Sequence, residues 1–148
     1  MRFVIQRVRE ASVTIGGTVH SSIGPGFLVL VGISDTDTKQ TADRYLEKLS
    51  KLRIFADAEG KTNLSIRDVG GELLLVSQFT LYADCRKGNR PSFIHAGEPG
   101  AAEALYRYMV EKAKELFASV KDGVFAAEMQ VALVNDGPFT VIFDEDLF

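Results

Sequence analysis

Few side chains in this sequence are equipped for acid–base or nucleophilic work. The two histidines, His20 and His95, are isolated from one another, and no His/Cys pair has metal-ligand spacing. Cys85 is the lone cysteine, which excludes an internal disulfide and fits a reducing compartment. No G-x-S-x-G elbow and no G-x-x-x-x-G-K-[ST] phosphate loop is present, and "GPG" at 24–26 reads as a turn before a strand.

Two stretches stand out against this background. The first is "VSQFTLYADCRKGNRPSF" (76–93), which begins as a buried strand and ends as a polar, basic loop. Ser77, Gln78 and Thr80 interrupt its apolar run. Polar groups at a buried strand end need partners, so they either bond the neighbouring loop or line a pocket. Arg86, Lys87 and Arg90 follow as a local basic cluster, which is either a solvated loop or a contact for anionic backbone. The second stretch is "NDGPFT" (135–140), set between the strand-like runs "MQVALV" and "VIF". Pro138 has no backbone donor, and Gly137 tolerates conformations that other residues avoid. The pair is either a hairpin turn or backbone presented to a ligand.

These segments need a scaffold. A chain of 148 residues fits one domain spanning 1–148, and at that size ~70% of the unfolded surface is buried. Hydrophobic content of 46% and charged content of 25% are globular values, and the net charge of −3 argues against a general nucleic-acid coat protein. The opening "MRFVIQRV" is too charged for a signal peptide, and no run approaches the ~20 apolar residues of a membrane helix, so a cytoplasmic protein without membrane contact is expected.

"RFVIQRV" (2–8), "ASVTI" (11–15), the turn "GG" and "TVHSSI" predict a strand and hairpin opening. "FLVLVGI" (27–33) is apolar throughout and predicts a strand covered on both faces. Ala42, Tyr45, Leu46, Leu49 and Leu52 fall at helical spacing behind a cap at Asp37 or Thr38. "ELLLVSQFTLYA" (72–83) predicts a strand. A second helix begins near Pro99, carries the stripe Ala102, Leu105, Tyr106, Met109, Ala113 and Leu116, and ends near "KDG" at 121–123. Strands at about 124–134 and 139–144 follow. The sum is an α+β fold: a curved, largely antiparallel sheet or barrel with two long helices packed outside.

The ordered set "QRV" and "ASV" near the start, "LRIF" and "GKTNLS" in the middle, "SQFTLYA" (77–83), "KGNRPSF" (87–93) and "MQVALVNDGPFT" near the end resembles the D-aminoacyl-tRNA deacylase family over essentially the whole chain. The resemblance implies hydrolysis of the ester between a D-amino acid and the terminal adenosine of tRNA, with removal of glycine from mischarged tRNA as a second activity. It implies a homodimer with active sites at the interface and no cofactor or metal. Catalysis then falls to Ser77, Gln78, Phe79 and Thr80; a tetrahedral intermediate needs donors for its oxyanion, and the backbone N–H groups around Phe79 and Thr80 are the candidates. The resemblance places chirality selection at a cis Gly137–Pro138 bond that reaches the partner's pocket, with Arg7 supporting that loop. Phe125 and Met129 would line the pocket, and Arg86, Lys87 and Arg90 would meet tRNA phosphates. The chain departs from the family pattern at Phe139, where Val is usual, and at Ala126, where Gly is frequent.

Overall fold

The computed structural model describes residues 1–148. Its centre is a long strand, β1 (Arg2–Ile15), where the sequence suggested two shorter ones. On one edge β1 pairs antiparallel with β3 (Gly26–Gly32) along its first half and with β2 (Thr18–Ile23) along its second. Its other edge pairs antiparallel with β8 (Gln130–Phe143). Beyond β3 the sheet turns parallel: β3 pairs with β6 (Glu72–Ser77), and β6 with β7 (Val120–Asp122). The Ser21 hydroxyl donates to the Asp122 carbonyl at 2.9 Å, so β2 approaches β7 and the mixed sheet nearly closes into a barrel. A two-stranded hairpin, β4 (Arg53–Ala56) with β5 (Thr62–Ser65), stands apart from it.

The apolar run of β3 is explained by its place. Phe27 and Val29 join the large core under the helices, while Leu28 joins a smaller core inside the barrel with Val8, Ala11, Val13, Ile23, Leu74 and Val76. Helix α1 (Lys39–Ser50) starts at Thr38, whose hydroxyl accepts from Thr41 N while Thr41 Oγ1 accepts from Thr38 N. Asp37 is outside the cap and accepts instead from Ser34 N at 2.7 Å. Helix α2 (Pro99–Leu116) is capped by the Glu98 carboxylate, which accepts from Gly100 N and Ala101 N. Its predicted stripe is the buried face. It ends five residues before the expected "KDG", because Phe117 turns into the core in an extended conformation and releases the chain to form β7. No helix is long and apolar enough to cross a membrane.

Two sequence expectations give way where function is concerned. The strand expected over 72–83 stops at Ser77. Gln78 N makes the last ladder bond, to Val31 O at 2.7 Å, and Phe79–Tyr82 then coil into a short 3-10 turn. The turn folds over Gly32, where a Cβ would stand 3.0 Å from Leu81 Cβ, a tight contact that glycine avoids. The hairpin reading of Gly137 also gives way: β8 is one strand, and only its pairing with β1 is interrupted there. Gln6 faces Thr140 and Val8 faces Asn135, so Arg7 alone stands opposite residues 136–139. These bulge off the ladder rather than forming a hairpin.

Candidate active site

The end of β6 opens into a cavity of about 720 Å³. Val76, Ser77, Gln78 and Phe79 form its floor. Phe125, Ala126, Ala127 and Met129 form one wall, and Phe93, Ile94 and the start of α2 at Glu98, Pro99 and Ala102 form another. An apolar lining with a few convergent polar groups is the usual character of a small-ligand site. A second hollow of about 820 Å³, bounded by Arg2, Tyr82, Asp84, Arg86, His95 and Glu145, is instead lined mainly by charged and polar groups.

The sequence-predicted residues fall into three places. Ser77, Gln78, Phe79, Phe125 and Met129 share the cavity, and Thr80 adjoins it, its hydroxyl bonded to Gln78 Nε2. Phe79 is 56% exposed and meets Phe93 edge to face at 5.0 Å. The 3-10 turn begins its internal bonding at Leu81 N→Gln78 O, which leaves the amides of Phe79 and Thr80 without partners inside the turn.

The second place is the basic loop. Asp84 and Ser92 exchange backbone bonds of 2.8 and 2.9 Å and close the intervening residues into a handle. Arg86, Lys87 and Arg90 are all exposed on it. Arg86 is not a free cation: its Nη2 and Nε donate to the two oxygens of Asp84 at 2.6 and 2.9 Å. These bonds and the Arg86 backbone amide hold the Asp84 carboxyl well below the usual carboxylate range. His95 Nε2 faces the same carboxylate at 3.8 Å, while His20 is exposed on β2.

The third place is the bulge. The Gly137–Pro138 bond is cis, both residues are exposed, and neither lines the cavity of its own chain. Arg7 braces the bulge from behind. Its Nε donates to Asp136 O at 2.9 Å, its Nη1 to Ile54 O of β4, and its guanidinium lies 4.9 Å over the Phe139 ring.

Comparison with known proteins bears on this arrangement. The sequence profile of the family "D-Tyr-tRNA(Tyr) deacylase" matches residues 4–144. The chain belongs to that family. A D-aminoacyl-tRNA deacylase of Desulfitobacterium hafniense is 53% identical over 146 residues, 99% of this chain and 98% of its own. One from Myxococcus xanthus is 54% identical over 144 residues, 97% of this chain and 94% of its own. Among solved structures, "c-Myc DNA Unwinding Element Binding Protein" superposes with a TM-score of 0.93 at 42% identity, covering 98% of this chain and 99% of that one. A probable eukaryotic D-amino acid tRNA deacylase shares the fold, with a TM-score of 0.82 at 18% identity over 96% and 97% of the two chains.

The fold adds cavity residues of this deacylase that motif reading did not assign. Phe93, Ile94, Ala127 and Val131 come from separate segments and meet only through the strand and helix packing. The one sequence signal was Phe93, an aromatic closing the basic stretch. Asp84, which neutralises Arg86, was also missed, although a carboxylate two residues before an Arg in a loop is a recognisable pairing distance.

Proposed function

We propose that this deacylase hydrolyses the ester of D-aminoacyl-tRNA with water as the nucleophile, releasing the D-amino acid and tRNA. The observation that carries the reading is the exit of β6, where Ser77, Gln78 and Phe79 open into an apolar cavity and the amides of Phe79 and Thr80 have no partner inside the turn. An aminoacyl ester is already activated, so positioning and stabilisation of the oxyanion suffice. Water attacks the carbonyl carbon, the two amides receive the developing oxyanion, and the ribose oxygen leaves with a proton. The terminal 2′-hydroxyl of the tRNA assists.

The Thr80 hydroxyl is engaged by Gln78 and His95 faces Asp84, which favours water over a Thr80 nucleophile with a His95 base. Gly137–Pro138 stands clear of its own chain's cavity. In a homodimer it enters the partner's cavity and excludes the L configuration with backbone alone. A glycyl ester, having no side chain at Cα, passes the same filter. Lys87 and Arg90 meet the phosphates of the acceptor end. The setting is cytoplasmic quality control of translation.

The test is incubation of the protein with matched D- and L-tyrosyl-tRNA, with sedimentation to establish the dimer. The D ester disappears and the L ester survives. Binding of tRNA with both esters intact would make the protein an RNA-binding module, and a trapped acyl-enzyme on Ser77 or Thr80 would replace water as the nucleophile.

A further inference from the structure

The cavity wall formed by Phe125, Ala126, Ala127 and Met129 has no regular secondary structure, so something else must fix it. Its anchor is Gly123, whose N–H donates to Leu75 O at 2.9 Å. Leu75 lies on β6, two residues before Ser77. Tyr106 of α2 is 2% exposed and serves both partners. Its hydroxyl donates to Leu75 O at 2.9 Å and lies 3.3 Å from Gly123 O. Its ring packs against Phe125 with centroids 6.0 Å apart. Met129 Sδ sits 2.8 Å from where a Cβ on Gly123 would stand, so the far end of the wall rests on the same anchor. Burial, with Asp122 adding to it, pushes the phenol pKa up, so the group remains a donor.

We propose that Tyr106 is a positioning residue that sets the gap between the Phe125–Met129 wall and the Ser77–Gln78 floor, and so sets how tightly the cavity holds its substrate. The proposal rests on the reading of this cavity as the aminoacyl site. Tyr106 touches the floor strand, the wall's anchor and the wall's aromatic ring at once. It acts through Phe125 and touches no reacting atom.

The experiment compares steady-state hydrolysis of D-tyrosyl-tRNA by wild type, Tyr106→Phe, Phe125→Ala and the double variant. Tyr106→Phe removes one oxygen and keeps the ring. Its KM should rise about five-fold, the scale of one lost hydrogen bond, with kcat within about two-fold, because a looser cavity weakens binding without touching the chemistry. The double variant should bind no more weakly than Phe125→Ala, since both changes act through one wall. Gly123→Ala pushes on Met129 at the same anchor, leaves Tyr106 in place and should also raise KM alone; it decides the matter if Tyr106→Phe does not fold. Unchanged KM in Tyr106→Phe, additive effects in the double variant, or a fall confined to kcat would overturn the positioning role. Unchanged KM in Phe125→Ala would instead remove the cavity reading itself.

Discussion

Arg7 Nε donates to the carbonyl of Asp136 at 2.9 Å, and Asp136 is the residue before Gly137. The same guanidinium reaches back to Ile54 O, so the bulge is tied through one side chain to the β4 strand behind it. Lysine carries charge but cannot aim two donors in fixed directions. Arg7→Lys should fold yet lose about ten-fold in D-ester hydrolysis, the scale of one charge-assisted hydrogen bond, with a smaller ratio of D to L rates. Paired rate measurements on D- and L-tyrosyl-tRNA check this, and an unchanged ratio would leave the brace without a role in chirality.

Gly137 tests the same bulge from its front. Its φ is +132°, and a Cβ there would stand 3.0 Å from both Arg7 Nη2 and Phe139 N. Gly137→Val therefore combines backbone strain with a push on the brace, a cost of order 1–3 kcal/mol. The melting temperature should fall by several degrees. Hydrolysis of the D ester should fall by about 100-fold or more, because the new side chain projects from the exposed face the bulge presents. Wild-type rates in a folded Gly137→Val protein would rule out a substrate-facing bulge.

Thr80 contributes backbone rather than hydroxyl in the mechanism above. Its Oγ1 is held by Gln78 Nε2 and has no hydrogen bond to a basic side chain. Thr80→Ala should keep most of the turnover of D-tyrosyl-tRNA. A loss of ~10⁴-fold with tRNA binding intact, the scale of a broken nucleophilic triad, would restore the covalent alternative.

Much of this arrangement was legible because the periodicity was strong. The α2 stripe and the doubly covered β3 each reflect burial dictated by a single element's own pattern. The exit of β6 was not legible, since "FTLY" continues a strand-like composition. The turn that follows packs over a distant residue, Gly32, which local composition does not reveal. The β4–β5 hairpin was missed because strands of four residues carry too little alternation to register. Gly137–Pro138 could be read as a hairpin from local propensity, but β1 pairs with β8 on both sides of it and leaves 136–139 as a bulge. Periodicity alone did not assemble the cavity, because its walls are drawn from segments about 76–79, 93–102 and 125–131; Phe125 and Met129 were named beside the family resemblance, and Phe93, Ile94, Ala127 and Val131 were not.

The three cations of the basic loop should not behave alike. Lys87 and Arg90 have no ion-pair partner, whereas Arg86 is held by both oxygens of Asp84. Lys87→Ala and Arg90→Ala should each weaken tRNA binding and flatten the log K against log [salt] slope by about 0.7–0.9, one released counterion apiece. Arg86→Ala should change the slope less, and Asp84→Asn should tighten binding by freeing Arg86. Equal slopes for wild type and both the Lys87 and Arg90 variants would make the handle a solvated loop. D/L selectivity should be untouched throughout, since the bulge lies elsewhere.

Ala126 is the one non-glycine residue with positive φ, at +61°, and it lies exposed on the cavity wall. A left-handed conformation costs an alanine about 1–2 kcal/mol, because Cβ crowds the following carbonyl. Glycine removes that cost but brings a more flexible unfolded chain, a penalty of about 0.4–1 kcal/mol. The first effect wins, and the exposed methyl sacrifices little packing. Ala126→Gly should therefore stabilise the fold by roughly 0.5–1 kcal/mol and raise the melting temperature by about 2–4 °C. Ala126→Val should do the reverse, since a branched Cβ suits this conformation least. Thermal unfolding of the three proteins decides it. A melting temperature for Ala126→Gly at or below that of wild type would mean that the methyl group packs against something the wall needs, and the strain would then be a cost the cavity's shape requires.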